Sequence, residues 1–349
     1  MVIYHFTGDI MTKKKVLAIV LPIVAAILIT AIVLICTLLV PHLAVNKKLA
    51  AEKLPAADQT ALSSPDKIHF LSTGGSDCII LESNGHFAMV DAAEDSDNPR
   101  GFPGLELEGY EQKVLAYLKT YAADENGKVH LDFVLGTHAH SDHIGGFDTV
   151  ISDPDVTVDR AYLKPYDASK IKDYEKVNWD NQEVYDQMVN ALNEKNVPIV
   201  IPNGTPFALG NFTITLFNTE DPATTKKVGE NDQSLGVLVE KNGTRVFLAG
   251  DIDNLSGDEK RLAPQIGKVD LLKVGHHSHN GSSTSFFIKN LAPRICVITN
   301  IHEHVNHATL ARFERICHPE QFLTPDKENG LLAVIGDNGK IDCYGQMHR

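Results

Sequence analysis

The feature that most constrains this chain is a cluster of metal-binding side chains, the sequence HAHSDH at residues 138–143. It directly follows an apolar strand pattern. Side chains two residues apart on a strand point the same way, so His138 and His140 can reach one ion together. After a turn, Asp142 and His143 can face a second ion, and all four side chains are ligands that zinc accepts. The motif therefore predicts part of two adjacent metal sites.

The distribution of histidine supports this interpretation. Nine of the 16 histidines fall in residues 138–143 and 276–307, and none lies between 144 and 250. The chain has 349 residues, of which 43% are hydrophobic and 22% charged, which is typical of a globular protein with a full core. The formal net charge of −13 argues against a basic protein that coats nucleic acid.

The N-terminal part carries a long apolar run, residues 16–40, with 25 positions free of charge. A helix of this length exceeds a hydrocarbon core of about 30 Å, so we expect a transmembrane anchor, with a cleaved signal peptide as the alternative. Lysines at 13–15 favour a cytoplasmic location for the N-terminal residues 1–15. Residues 41–65 have the composition of a linker. Residues 66–349 are predicted to form one domain outside the cytoplasm, at the cell membrane.

The predicted domain alternates short apolar strand patterns with helical patterns, the clearest of them at about 109–122 and 180–195. Some strand patterns are joined by hairpin turns and others by helices, which predicts a layered α/β or α+β domain. Residues 66–349 contain 26 Lys and Arg against 42 Asp and Glu, a net charge of −16. The domain is thus more acidic than the whole chain.

The HAHSDH motif resembles the metallo-β-lactamase fold superfamily, and three further motifs agree in the order of that family. FAMVD at 87–91 resembles its early strand ending in Asp, VFLAGD at 246–251 its strand ending in the metal-bridging Asp, and VDLLKVGHH at 269–277 its strand delivering the last His. The resemblance covers about residues 68–343. It implies a four-layer αββα sandwich in which Asp91 accepts hydrogen bonds that support the histidine loop.

The absence of histidine from residues 144–250 indicates a particular subgroup of this family. Most members of the family place a third histidine ligand of the first ion in this part of the chain. This chain instead has NDQSL at 231–235. Together with LLKVGHH, this segment resembles the hydrolase domain of ComEC-like competence proteins and the related teichoic-acid phosphorylcholine esterases. The resemblance implies that Asp232 replaces the missing His. HHSHNGSS at 276–283 departs from the usual HHGS of that subgroup.

The resemblance implies two zinc ions, with manganese as the alternative metal. The predicted ligands are His138, His140 and Asp232 for the first ion, Asp142, His143 and His276 for the second, and Asp251 as the bridge between them. His277 is the alternative to His276. Regular strand alternation lets only one of the two side chains point inward. Asn231 is predicted to support the ligands from the adjacent position.

The catalytic and substrate-binding roles follow from the same resemblance. Asp142 is predicted to orient a metal-activated hydroxide as well as to bind metal. His307 is predicted as a general acid or substrate contact, with His302 and His304 as alternates. Substrate contacts are also predicted for His277, Ser282 and Ser283.

These expectations describe a membrane-anchored, zinc-dependent hydrolase that cleaves a phosphodiester, either nucleic acid or a phosphorylated cell-surface compound. The acidity of the domain weighs against long nucleic acid. No obligate protein partner is inferred, and the partners expected are the membrane and a small or polymeric substrate. The alternatives are a thioester or lactam hydrolase of the same fold, or a non-catalytic binding module.

Overall fold

The computed structural model describes residues 13–40, 43, 45, 49, 54–96, 108–220, 227–324 and 329–345. Most of the predicted cytoplasmic N-terminus, residues 1–12, lies outside them. The α-helices of the described residues, numbered α1 to α10 in chain order, are Lys13–Leu34, Gln59–Leu62, Glu111–Tyr121, Ser141–Ile144, Phe147–Ser152, Asp173–Asn178, Asn181–Glu194, Asp258–Ile266, Ser285–Leu291 and His307–Ile316. A π-helical turn spans Ile35–Leu39, and 3₁₀ turns span Glu230–Gln233 and Gly275–Ser278.

The strands of the described residues are numbered β1 to β17. They are Asp66–Leu71, Cys78–Ser83, His86–Ala92, Val129–Leu131, Phe133–Leu135, Val156–Val158, Ala161–Tyr162, Ile199–Val200, Phe207–Leu209, Phe212–Phe217, Gly236–Lys241, Thr244–Leu248, Leu271–Lys273, Ile295–Ile298, Glu320–Leu323, Gly330–Ile335 and Ile341–Tyr344. One sheet has eight strands in the order β17-β16-β1-β2-β3-β5-β7-β8, and a second has seven in the order β15-β14-β13-β12-β11-β10-β9. Strands β4 and β6 pair separately.

The two large sheets enclose one apolar layer and carry helices on their outer faces. Side chains of both sheets, such as Phe70, Phe133, Phe212 and Val237, form the inner layer. Helices α3, α5 and α7 bury their apolar faces on the outside of the eight-stranded sheet. Helices α8, α9 and α10 do the same on the seven-stranded sheet. The layered α/β sandwich predicted from the sequence is therefore confirmed.

The hairpin β2–β3 shows how local sequence produces this arrangement. In β2, Ile79 and Leu81 face the layer between the sheets, whereas Cys78 and Ile80 face the helices. Such period-two burial on both faces is what a strand within a sandwich requires. Its turn uses Asn84 (φ 52°) and Gly85 (φ 83°), the residue pair that tolerates positive φ at both central positions.

The linker predicted over residues 41–65 is partly packed against the domain. Val45 is buried with the helices of the seven-stranded sheet, and Ala57 and Ala61 are buried on the opposite side of the sandwich. The helix α2 is capped by Asp58, whose Oδ1 accepts a hydrogen bond from Ala61 N at 2.8 Å. This part of the chain therefore differs from a free tether, because apolar side chains spaced along it find buried positions.

The predicted anchor, residues 16–40, lies in α1 and the π-helical turn after it. Among the residues described, no helix combines the length and apolar character that crossing a membrane needs.

A buried ion pair joins the two sheets. The Nζ atom of Lys241 in β11 lies 2.6 Å from Asp66 Oδ2 in β1, and both side chains are at most 5% exposed. Asp66 also accepts hydrogen bonds from Ser83 Oγ and Asn211 Nδ2. A buried carboxylate with this many partners is costly to leave without its counter-ion.

We expect Lys241→Met to destabilise the chain by about 3–5 kcal/mol, because Asp66 would stay buried without a compensating charge. Urea denaturation measures the free energy of unfolding. Lys340→Met is the matched control, since Lys340 pairs with exposed Asp342 on the surface; its cost should be at most ~1 kcal/mol. Equal losses in the two variants would contradict the assignment.

Candidate metal centre

The histidine loop follows β5 and is fixed by Asp91, near the end of the parallel strand β3. Thr137 donates from its N–H to Asp91 Oδ1 and from its hydroxyl to Asp91 Oδ2, both at 2.8 Å. His143 Nδ1 lies 2.8 Å from Asp91 Oδ2. Asp91 has a positive φ of 58°, a conformation that only a small fraction of non-glycine residues adopt. The structure thus places Asp91 behind the loop, where the resemblance put it.

The first group of potential ligands contains His138, His140 and Asp251, whose donor atoms lie within 4.8 Å of one another. His138 Nε2 and His140 Nδ1 are 3.0 Å apart. Burial lowers the pKa of His138 well below its ordinary value, and the neighbouring His143 and His140 lower it further. A neutral imidazole nitrogen is the form that binds a metal.

The second group contains Asp142, His143, Asp251 and His277, again within 4.8 Å. His143 Nε2 lies 3.1 Å from His277 Nε2 and 3.2 Å from Asp251 Oδ1. His277 Nε2 lies 3.3 Å from Asp142 Oδ2 and 3.4 Å from Asp251 Oδ1. Asp251 belongs to both groups, as the predicted bridging role requires.

His277 occupies the position in the second group for which His276 was the first choice. Strand β13 ends at Lys273, and both histidines then adopt left-handed backbone, with φ 50° at His276 and 45° at His277. Strand alternation therefore does not apply to them. The side chain of His277 is 2% exposed, whereas that of His276 is 25% exposed and lies no nearer than 3.8 Å to Asp251 Oδ2.

The opposite charges of the second group stabilise one another. Burial disfavours the charged ring of His143, but Asp251, Asp142 and Asp91 outweigh burial and raise its pKa well above the ordinary value. Burial likewise opposes ionisation of Asp251, yet the neighbouring His277 and His143 hold the pKa of its carboxyl well below its usual range. The Asp251 carboxylate is therefore ionised and stabilises positive charge around it, which is the electrostatic environment that a divalent cation requires.

The donor set fits a pair of divalent cations. Ring nitrogens and carboxylate oxygens converge on two points, and these are the ligand types of zinc and related metals. Asp251 Oδ1 is buried and makes no hydrogen bond of regular geometry. The Nε2 atoms of His143 and His277 face each other at 3.1 Å, and Asp251 Oδ1 lies 3.2 and 3.4 Å from them. Such an arrangement suits a shared cation better than a hydrogen-bonded core.

The structure does not bring Asp232 into the first group. Its carboxylate turns back within the 3₁₀ turn, where Oδ2 accepts a hydrogen bond from Gly229 N at 2.9 Å, and it lies beside Ser256 and Asp258. The carboxylate near His140 is that of Glu175, with Oε2 3.6 Å from His140 Nε2. Sequence reasoning missed Glu175, which lies in the short helix α6 and belongs to no motif.

Other predicted residues have mixed positions. Asn231 donates from its amide to His276 Nε2 at 3.2 Å, beside the ligands.

Apart from His277, the predicted substrate contacts are Ser282, Ser283 and His307. Ser282 and Ser283 are buried, and the Ser282 hydroxyl donates to backbone carbonyls, so neither is placed to contact substrate as predicted. His307 begins α10 and packs edge-to-face against His302, outside the clefts described next.

Two clefts open on the centre. One, of about 360 Å³, is lined by His140, Asp142, Asp251, His277 and the aromatic side chains of Tyr174 and Trp179. The other, of about 690 Å³, is lined by residues that include Gly74, Tyr110, Lys113 and His304. Both clefts include Asp142 and His279. His279 was not predicted, although it lies in the second histidine-rich window of the sequence.

The two adjacent histidines give a direct test of the ligand set. His277→Ala should weaken zinc binding at one group by more than the ~10–100-fold typical of supporting residues, because it removes an inner donor. His276→Ala should retain the zinc content of the wild type. Plasma mass spectrometry of zinc-loaded, buffer-exchanged protein measures both. Loss of zinc in His276→Ala alone would show that His276 is the ligand.

The geometry agrees with the comparisons to known proteins. Residues 112–280 match the beta-lactamase superfamily domain. The chain is 27% identical over 222 residues to ComE operon protein 3 of Bacillus subtilis (strain 168), which covers 61% of this chain and 26% of that protein. It is 22% identical over 215 residues to competence protein ComA of Neisseria gonorrhoeae, covering 60% and 26%. The chain thus spans about a quarter of the length of these relatives.

Among solved structures, the chain is similar to the metallo-beta-lactamase fold protein YhfI from Bacillus subtilis. The match has 16% identity and a TM-score of 0.48, and it covers 77% of this chain and 99% of that one. The sequence matches are the stronger finding. Together with the motifs, they support a ComEC-like protein of the metallo-β-lactamase fold, in which residues 112–280 are similar to the beta-lactamase superfamily domain.

Proposed function

We propose that this protein is a metal-dependent hydrolase that cleaves a phosphodiester, with zinc as its metal. The observation that carries the proposal is the pair of ligand groups sharing Asp251 beside two open clefts. His138 and His140 would hold one ion with Asp251, and Asp142, His143 and His277 would hold the other. Bound there, divalent cations supply Lewis acidity toward a phosphoryl oxygen and lower the pKa of water.

Asp142 is the carboxylate best placed to act on a water molecule. It is partly exposed, at 27% of its side chain, and it faces both clefts. His143 and His277 next to it outweigh the effect of burial and lower the pKa of its carboxyl, so it is ionised at neutral pH. An ionised carboxylate can accept a hydrogen bond from water and thereby orient its lone pair toward the substrate.

His279 is better placed than His307 to assist the leaving group, because it lines both clefts. Burial, followed by the neighbouring His277, lowers the pKa of His279, so its ring is neutral at pH 7. A neutral imidazole has one N–H, which can donate a hydrogen bond to an oxygen as negative charge develops on it.

The clefts support a diester rather than a monoester. They meet at Asp142 and His279, so a substrate cleaved there has room for a group on each side. Tyr174 and Trp179 form an edge-to-face pair on one side, and Lys113 and Tyr110 lie on the other. The net charge of −16 over residues 66–349 favours a small or cell-surface phosphodiester over a long nucleic acid.

The substrate class is tested with bis-p-nitrophenyl phosphate, a phosphorylcholine ester and a thioester, assayed side by side with the zinc-loaded chain. We expect phosphodiester cleavage, which Asp142→Asn should lower by ~10²–10⁴-fold in kcat/KM. Hydrolysis of the thioester alone would overturn the phosphodiester proposal.

The role of His279 is tested in the same assay. His279→Gln should lower kcat, and the matched control His318→Gln, on the exposed surface, should leave kcat unchanged. An effect of His307→Gln equal to that of His279→Gln would overturn the role of His279.

We also propose that residues 16–40 anchor the protein in the membrane with the hydrolase domain outside the cytoplasm. Lysine in the middle of a spanning helix costs about 2.5–3.5 kcal/mol, so Ile27→Lys with Ile32→Lys should release the full chain from alkaline-washed membranes. Ile27→Leu with Ile32→Leu is the control and should remain in the pellet. Release of the unmodified chain by the alkaline wash would contradict the anchor.

A further inference from the structure

Behind the second ligand group lies a buried ion pair that the sequence motifs did not indicate. The side chain of Lys273, the last residue of β13, is 0% exposed. Its ammonium group pairs with the carboxylate of Asp77 and donates to the Gly250 carbonyl at 3.0 Å. A buried ammonium group is stable only with such partners, so their positions are tied to that of Lys273.

Asp77 connects this ammonium group to both histidines of the second group. Asp77 Oδ1 lies 3.5 Å from His277 Nδ1, and Oδ2 lies 3.8 Å from His143 Nδ1. These are the rear nitrogens of the rings whose Nε2 atoms face each other at 3.1 Å. The backbone N–H of Asp77 also donates to the Asp142 carbonyl at 3.0 Å.

Thr299, directly after β14, completes the arrangement. Its hydroxyl donates to Asp77 Oδ1 at 2.6 Å, and its carbonyl lies 3.1 Å from His277 Nδ1. A carbonyl only accepts hydrogen bonds, so His277 carries its proton on Nδ1 and presents the lone pair of Nε2 to the group. Partners of this kind fix the ring orientation and tautomer of metal-binding histidines.

We propose that the Asp77–Lys273 pair, with Thr299, is a positioning element for the second ligand group. None of the three would bind the ion. Lys273 holds the backbone beside Asp251, Asp77 holds the backbone of Asp142, and Asp77 and Thr299 together orient His277. One buried pair thereby aligns three segments of chain that each carry a ligand. The inference rests on the proposed metal use of this site.

The test compares Asp77→Asn, Thr299→Val and the double variant Asp77→Asn with Lys273→Met, which removes both charges together. Each should weaken binding of one zinc ion by ~10–100-fold in chelator competition and leave the other ion at wild-type affinity. The visible spectrum of the cobalt-substituted protein should also change, because it reports ligand geometry, which a loss of stability alone would not alter.

The matched control is Asp66→Asn with Lys241→Met, which removes the other buried Asp–Lys pair, between the sheets. It should bind zinc and cobalt as the wild type does. If wild type binds two ions and the Asp77 and Thr299 variants bind both with unchanged affinity and spectrum, the inference is overturned and the proposed function stands. A wild type that binds no divalent cation overturns both.

Discussion

The position of Asp251 is the constraint on which the rest of the centre depends, because this carboxylate belongs to both ligand groups. Its backbone N–H donates to Ser234 Oγ at 2.8 Å. The preceding residue is Gly250, at φ 50°, where an added Cβ would lie 2.5 Å from the same Ser234 oxygen. Only glycine allows both the left-handed turn and this close approach. A side chain at position 250 would therefore crowd the Ser234 hydroxyl that accepts the hydrogen bond from Asp251 N.

The sandwich brings the ligands together because strands of both sheets end at the same edge. In the eight-stranded sheet, β3 and β5 run parallel and lead into Asp91 and the histidine loop. In the seven-stranded sheet, β12, β13 and β14 run parallel and lead into Asp251, His277 and Thr299. Loops after parallel strands converge at the carboxyl edge of a sheet, which is where α/β folds place their ligands. Here two such edges meet, and each contributes to the second group.

The parts of this centre that could be predicted from sequence are those carried by short local patterns. The HAHSDH loop and Asp251 follow strands closely and needed no knowledge of distant contacts. Asp77 could not be found in this way, because its contact with Thr299 joins residues 222 positions apart. Lys273 lies in an apolar strand pattern, where a single charged residue gives no sign of its partner.

The same limit applies to the fold. The sequence predicts one strand at Leu131–Leu135, but the structure interrupts it at Asp132. Leu131 ends β4, Phe133–Leu135 forms β5, and these two strands join different sheets. Helix α8, at Asp258–Ile266, was missed because it contains Pro264 and is bounded by Gly257 and Gly267, which normally signal a turn. In both cases tertiary packing overrides a local preference.

The turn after β13 shows why two adjacent histidines receive different environments. The three consecutive residues His276, His277 and Ser278 all have positive φ. Left-handed backbone costs non-glycine residues roughly 1–2 kcal/mol each. Hydrogen bonds from His276 N to the Gly250 carbonyl and from Asn300 Nδ2 to the His277 carbonyl offset part of this cost. A relaxed strand would have sent the two rings to opposite faces of the sheet. The strained turn instead directs one ring into the buried group and leaves the other at the rim of the cleft, so the strain is located where it determines which histidine can bind an ion.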